Sequence, residues 1–203
     1  SSGLSDFGDG ATHQCVEDMA IFRAVPNMTV ICPADANETR EAVKAIAQMK
    51  GPCYLRLNRN DYPNVTKEGA RFEIGVPRIL KHGTDVALFA AGYMTGVALE
   101  AAKELEGSIS VRVINVSTIK PMNKEVMRKM AEGCRAVVTA EEHNVAGGLG
   151  SAVAEALCED PLPMKMVGIK DTFGCSGHNY QEVLAYHGLT KEAVAEAVRE
   201  MAG

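Results

Sequence analysis
One stretch gathers an acid, a hydroxyl, an imidazole and an amide within a few residues: Asp9-Gly10-Ala11-Thr12-His13-Gln14. Asp9 and His13 stand four apart across an expected loop-to-helix junction, with Thr12 as a candidate cap. A carboxylate there can accept hydrogen bonds from a substrate hydroxyl, and an imidazole can donate or move protons near neutral pH. Gly8 and Gly10 would let backbone approach a ligand closely. In the plainer reading Asp9 and Thr12 cap a helix and His13 is exposed in its first turn; spacing alone leaves both open. Arg59 is the next candidate, in Asn58-Arg59-Asn60 at the end of an expected strand. In open parallel sheets ligands bind beyond the carboxyl ends of strands, and the guanidinium fork suits a phosphate or carboxylate. The alternative for Arg59 is a surface arginine paired with Asp61. Glu141-Glu142-His143, before Gly147-Gly148-Leu149-Gly150, falls between an expected strand and helix, where free N–H groups attract anions. It is neither G-x-G-x-x-G nor a P-loop, so close packing of helix on strand is the better account of its glycines. His82 and His187 precede glycines in turns, His178 could help cap a helix, and no two histidines have metal-ligand spacing.

Positioning these groups requires a scaffold, and the hydrophobic pattern indicates which one. Strands are expected at Thr29–Cys32, Cys53–Leu57, Val86–Ala90, Ser110–Val116, Ala136–Ala140 and Met164–Ile169. Helical patterns run over His13–Arg23, Asn37–Lys50, Thr95–Leu105, Lys124–Glu132 and Ser151–Glu159, then Asn179–Tyr186 and Lys191–Met201. The second has Ala42, Val43, Ile46, Ala47 and Met49 on one face and is stopped by Gly51-Pro52. Thr190 is a candidate cap for the last. Such alternation predicts an α/β fold of mostly parallel sheets with helices on both faces. Its strands are apolar nearly throughout, as buried parallel strands should be. Asn58–Pro77 lacks periodicity and reads as a connection, dividing the chain into residues 1–57, a linker 58–77 and a unit 78–203. The first unit, with two strands and two helices, is too small to bury its own sheet, so sequence outside this chain is expected to complete it. The absence of an initial methionine fits a piece of a longer polypeptide.

Composition narrows the classes further. With 21 Lys plus Arg against 26 Asp plus Glu, the net charge of −5 lacks the basic footprint of a nucleic-acid or anionic-membrane partner. No apolar run approaches the roughly 18 residues of a membrane span, and the polar, glycine-rich start does not resemble a signal peptide. Six widely spaced cysteines without a C-x-x-C pair, beside ten methionines, predict free and mostly buried thiols in a reducing cytoplasm.

The run from Asp9 to Gln14, followed by Glu17-Asp18, Phe22-Arg23, Pro26-Asn27, Pro33-Ala34-Asp35 and Glu38, resembles transketolase. Phe173-Gly174-Cys175-Ser176-Gly177 and Gly188-Leu189-Thr190 resemble the end of the same family. The resemblance spans essentially the whole chain. It implies the last part of a pyrimidine-binding domain, a linker and a complete C-terminal α/β/α domain. Deoxyxylulose-phosphate synthases share the first motif but differ after the following strand. The β subunits of 2-oxo acid dehydrogenases lack a match to Asn58-Arg59-Asn60, so transketolase ranks first and the synthase second. The implied reaction is transfer of a two-carbon ketol unit between ketose and aldose phosphates with thiamine diphosphate and Mg²⁺. By resemblance, Asp9 would recognise a substrate hydroxyl, His13 would act beside the cofactor at the reacting oxygen, and Arg59 would bind the sugar phosphate. Ser1 stands where the family commonly has a phosphate-contacting histidine, and Gly8 where it has an acidic residue. The family's cofactor-activating glutamate and its diphosphate–Mg²⁺ half have no counterpart here. The resemblance therefore implies a chain inactive without an N-terminal section or subunit, working in a homodimer or a two-plus-two heterotetramer. A C-terminal assembly or regulatory module is the non-catalytic alternative.

Overall fold
The computed structural model describes Ser1 to Gly203. The first unit contains α1 (Asp18–Ala24), β1 (Thr29–Ile31), α2 (Ala36–Ile46) and β2 (Cys53–Leu55). The second contains β3 (Arg78–Lys81), β4 (Val86–Ala90), α3 (Met94–Glu104), β5 (Val111–Asn115), β6 (Thr118–Lys120) and α4 (Lys124–Ala131). It continues with β7 (Ala136–Asn144), α5 (Leu149–Leu157), β8 (Met164–Ile169), α6 (Tyr180–Tyr186) and α7 (Lys191–Ala202).

The larger sheet has the order β3-β5-β4-β7-β8, parallel except for β3 at its edge. Val86 to Ala90 are all buried, and their side chains alternate between two cores. Val86, Leu88 and Ala90 join α3 and α7 through Val97, Ala98, Val194 and Val198. Ala87 and Phe89 join α4 and α5 through Met127, Ala131, Ala152 and Val153. The period-two alternation of a strand thus builds the three-layer α/β/α unit expected from sequence. Thr190 and Asn179 accept hydrogen bonds from Ala193 N–H and Glu182 N–H, which start α7 and α6.

Several local expectations need correction. The helix expected from His13 begins only at Asp18, because Cys15 exchanges backbone hydrogen bonds of 2.8 and 3.1 Å with Gly3. Residues Gly10–Thr12 form one 3₁₀ turn instead, and His13 closes it rather than opening a helix. Two short strands escaped the pattern: β3 pairs antiparallel to β5, and β6 pairs antiparallel to β1. The sheets are therefore only partly parallel, and β6 supplies the smaller sheet, β2-β1-β6, with a third strand from within this chain. Strand β7 continues to Asn144, so Glu141, Glu142 and His143 lie buried in a strand and not in a loop.

The connection after β2 is a strap. Asp35, the cap of α2, also accepts Val65 N–H and Thr66 N–H at 2.6 Å and the Thr66 hydroxyl at 2.7 Å. Phe72 packs with Ile31 and Ala42. Glu38 accepts both Ala34 N–H and Asn115 Nδ2–H, joining the two units. The six cysteines are free; Cys32 and Cys134 are buried, while Cys158 is exposed, unlike the buried thiols expected. No helix is long and apolar enough to cross a membrane.

Candidate functional site
In the larger sheet the chain runs from β4 to β5 on one side and later to β7 on the other. The crevice beyond the carboxyl ends of these strands is where such a sheet ordinarily binds ligands. Here the first unit fills it. Leu4 and Val16 pack with Ala90 and Ala140. A Cβ on Gly92, which has φ +57°, would come within 2.7 Å of Cys32 Sγ. A buried polar cluster locks the filling in place. Asp18 accepts hydrogen bonds from Arg56 Nε at 2.8 Å, Arg56 Nη2 at 3.1 Å and the Tyr54 hydroxyl at 2.7 Å. Arg56 also donates to the Cys15 and Glu142 carbonyls at 3.1 and 3.0 Å. Burial alone would raise the Asp18 carboxyl, but the Arg56 charge and these hydrogen bonds hold it below its ordinary value.

His143 is fully buried. Its Nδ1 lies 2.7 Å from the Asn144 carbonyl, so Nδ1 carries the proton and Nε2 accepts Met19 N–H at 3.1 Å at the start of α1. Burial lowers its pKa and keeps it neutral. Glu141 accepts Leu149 and Gly150 N–H at 2.6 and 2.8 Å, satisfying the first donors of α5. A Cβ on Gly148 would collide with the Glu141 carboxyl. Close packing therefore accounts for these glycines, as the sequence suggests, and no anion site is left at this helix start.

Above this cluster sits the loop with the candidate chemistry. Gln14 donates through Nε2 to the carbonyls of Asp6 at 3.2 Å and Cys175 at 2.9 Å. Gly177 N–H donates to the Phe7 carbonyl at 2.8 Å. Gly10, at φ +75°, lies where a Cβ would strike Ser176 Oγ, and Gly174 abuts Gln14. The Phe173–Gly177 segment thus clamps the Asp6–Gln14 loop. Asp9 and His13 are left exposed at its crest. The Asp9 side chain caps nothing, and Thr12 Oγ lies 3.0 Å from His13 Nδ1, so neither Asp9 nor Thr12 serves a helix. Arg59 pairs with buried Asp6 and not with Asp61, while 60% of its side chain remains exposed. Asp6 is three residues from Asp9, so its ion pair attaches Arg59 to the segment that leads into Asp9 and His13.

Sequence reasoning quoted Asp18, Asn58 and Glu142 within motifs but gave them no supporting role, and it passed over Asp6 and Tyr180. One signal was available: Arg56 is a charge inside an otherwise apolar strand reading and required a buried partner.

Residues 75–194 match the family model described as transketolase, C-terminal domain, and residues 2–65 that described as transketolase, pyrimidine binding domain. A putative transketolase C-terminal section from Methanocaldococcus jannaschii is 42% identical over 98% of this chain, which spans 63% of that relative. A 6-deoxy-6-sulfo-D-fructose transketolase subunit from a Clostridium species is 40% identical over 98% of the chain and 62% of its own length. A 1-deoxy-D-xylulose-5-phosphate synthase from Chlorobium luteolum is 34% identical, and the match covers 95% of this chain but 31% of the synthase. Among solved structures, a split gene transketolase described as an inactive β4 tetramer superposes with TM-score 0.88 at 46% identity, covering 95% of this chain and 62% of that one. The motif at Asp9–Gln14, the fold around it and these matches agree: the chain belongs to the transketolase family, with part of the pyrimidine-binding domain followed by the C-terminal domain.

Proposed function
We propose that this chain is the C-terminal section of a transketolase that transfers a two-carbon ketol unit from a ketose phosphate to an aldose phosphate. The observation that supports this reading is that Asp9 and His13 are exposed on the loop that follows Asp6, while Asp6 is the ion partner of Arg59. An exposed carboxylate without intramolecular partners suits a sugar hydroxyl, and the His13 imidazole can hold or pass a proton at the reacting oxygen. The free face of Arg59 offers paired N–H donors to a phosphate.

Thiamine diphosphate, when bound, supplies the carbanion chemistry that a protein side chain cannot. His13 fits its reacting end. No group of three His, Cys, Asp or Glu side chains here forms a cage for a metal ion, and the family's diphosphate–Mg²⁺ half has no counterpart in this sequence. We assign them to an N-terminal section, with the active site at the boundary between sections in a homodimer or two-plus-two assembly. The six free thiols suit a reducing cytoplasm.

The test combines this chain with a complementing N-terminal section, thiamine diphosphate, Mg²⁺ and xylulose and ribose phosphates. Ketol transfer only in the combined sample is expected. Arg59→Ala should raise KM for phosphorylated sugars at least tenfold (about 1.4 kcal/mol) while sparing unphosphorylated ones. Equal loss on both would remove its phosphate role. Formation of deoxyxylulose phosphate by the combined sample would favour the synthase instead.

A further inference from the structure
The C-terminal unit contributes none of the three candidate side chains, yet one of its carboxylates reaches both Leu4, just before Asp6, and Asn58, beside Arg59. Glu142, in β7, is 3% exposed. Its Oε1 accepts Leu4 N–H at 2.6 Å, and its Oε2 accepts Asn58 Nδ2–H at 3.2 Å. Asn58 also donates to the Tyr180 hydroxyl at 2.6 Å, which fixes its amide orientation. The Asn58 Oδ1 then accepts Asn60 N–H at 2.8 Å, and Asn60 Nδ2 donates to the Ser5 carbonyl at 2.9 Å. Between Asn58 and Asn60 lies Arg59; beside Ser5 lies Asp6, its ion partner. A Cβ on Gly3 would collide with the Glu142 carboxyl, so the backbone has been brought directly onto this side chain.

No cationic side chain donates to this carboxylate; Arg56 bonds to the Glu142 backbone carbonyl instead. A buried carboxylate held only by neutral donors is a costly way to fill space, and an apolar side chain of similar volume would pack there with less penalty. What an apolar side chain could not do is align two separate segments of the first unit at once. We propose that Glu142 is the positioning residue of the phosphate grip, holding Leu4–Asp6 and Asn58–Asn60 in register so that Asp6 presents the outer face of Arg59 to the substrate. This rests on the reading of Arg59 as the phosphate ligand. It also explains what the ligand crevice of the C-terminal unit is for: the crevice seats the binding loops of another unit.

Glu142→Gln tests the proposal. The amide keeps the size but turns an NH₂ toward one of the two donors, leaving a buried group mispaired. In the combined enzyme, KM for a ketose phosphate should rise about tenfold. Turnover, and both constants for an unphosphorylated ketose, should stay within about twofold. In an Arg59→Ala background the same substitution should add less than about twofold, because the two residues act through one contact. Without any sugar, the Asn60 amide should exchange faster with solvent while amides of β4 are unaffected. Asn58→Ala, which breaks the chain of bonds one step beyond Glu142, should reproduce the three kinetic results and serves for those if Glu142→Gln does not fold. Equal KM increases for both kinds of sugar, full multiplication with Arg59→Ala, or unchanged Asn60 exchange would each overturn the proposal. If Arg59→Ala itself fails to discriminate between the sugars, the phosphate reading falls; the exchange result then separates that failure from a broken Glu142 link.

Discussion

Replacing Asp18 by Asn probes the joint between the two units. The side chains of Arg56 and Asp18 are 3% and 2% exposed, and their geometry includes two guanidinium hydrogen bonds at 2.8 and 3.1 Å. Removing one partner of such a pair ordinarily costs about 3–5 kcal/mol, because the other charge stays buried. Two features moderate the loss here. Arg56 keeps the Cys15 and Glu142 carbonyls, and asparagine retains one acceptor. We therefore expect about 3 kcal/mol, equivalent to a fall in Tm of roughly 6–12 °C for a chain of this size. Urea denaturation followed by circular dichroism gives the free energy, and calorimetry the midpoint. The pH dependence carries a second signature. The folded pKa of Asp18 lies below its unfolded value of about 3.9. Its contribution is thus complete above that value and lost as pH falls through the lower, folded one; the asparagine variant should lack this component of acid sensitivity. Asp18→Leu combined with Arg56→Met should not recover the parent's stability, since it also takes a partner from the Tyr54 hydroxyl and from the Cys15 and Glu142 carbonyls. A loss below about 1 kcal/mol in Asp18→Asn would refute the assignment of this pair as the joint.

Three further outcomes follow from the packing. Burial pushes the Glu141 carboxyl up to about 8 against the pull of two backbone donors. Its folded pKa exceeds the unfolded value of about 4.3, so its stabilising contribution is full below that value and lost as pH rises through 8. Denaturation midpoints should fall between about pH 4 and 8, and Glu141→Gln should flatten that slope; an equally steep slope in the variant would count against the assignment. Gly10→Ala combines a left-handed φ of +75° with a collision at Ser176, so it should cost about 1–3 kcal/mol. It should also raise KM for phosphorylated and unphosphorylated sugars alike, distinguishing it from Glu142→Gln; steady-state kinetics on both sugars checks this. Asp35→Ala removes the α2 cap and three bonds to the strap, and a loss of about 2–4 kcal/mol on urea titration is expected, with a value under about 1 excluding the anchoring role.

The layers of the second unit were legible because β4, β7 and β8 are apolar runs and α3 and α7 have clear stripes, so burial and pattern coincide. Strands β3 and β6 were not, since Arg78, Lys81 and Lys120 leave no apolar run like the one that marks the equally short β1, and their antiparallel pairing depends on partners distant in sequence. The start of α1 was misplaced for a related reason: Cys15 obeys a long-range bridge to Gly3, which local propensity does not report. Asp9, His13 and Arg59 were singled out because short polar motifs in loops stand out against a hydrophobic background. Glu142 and Tyr180 were given no such role, because their significance lies in reaching across to Leu4 and Asn58. The alternative partner weighed for Arg59 was its sequence neighbour Asp61, whereas the fold offers it the buried Asp6.

Strand β6 has a consequence for how this polypeptide can be divided. The two family modules adjoin at residues 65 and 75, yet the edge of the earlier module's ladder is stitched shut by Thr118–Lys120 from the later one. Cutting the backbone in the strap would separate names without separating bodies: the severed N-terminal piece would carry a raw edge along β1 and a vacant seat beneath its loops. Any engineered split or domain graft must therefore move the borrowed strand together with its borrower, or supply a substitute.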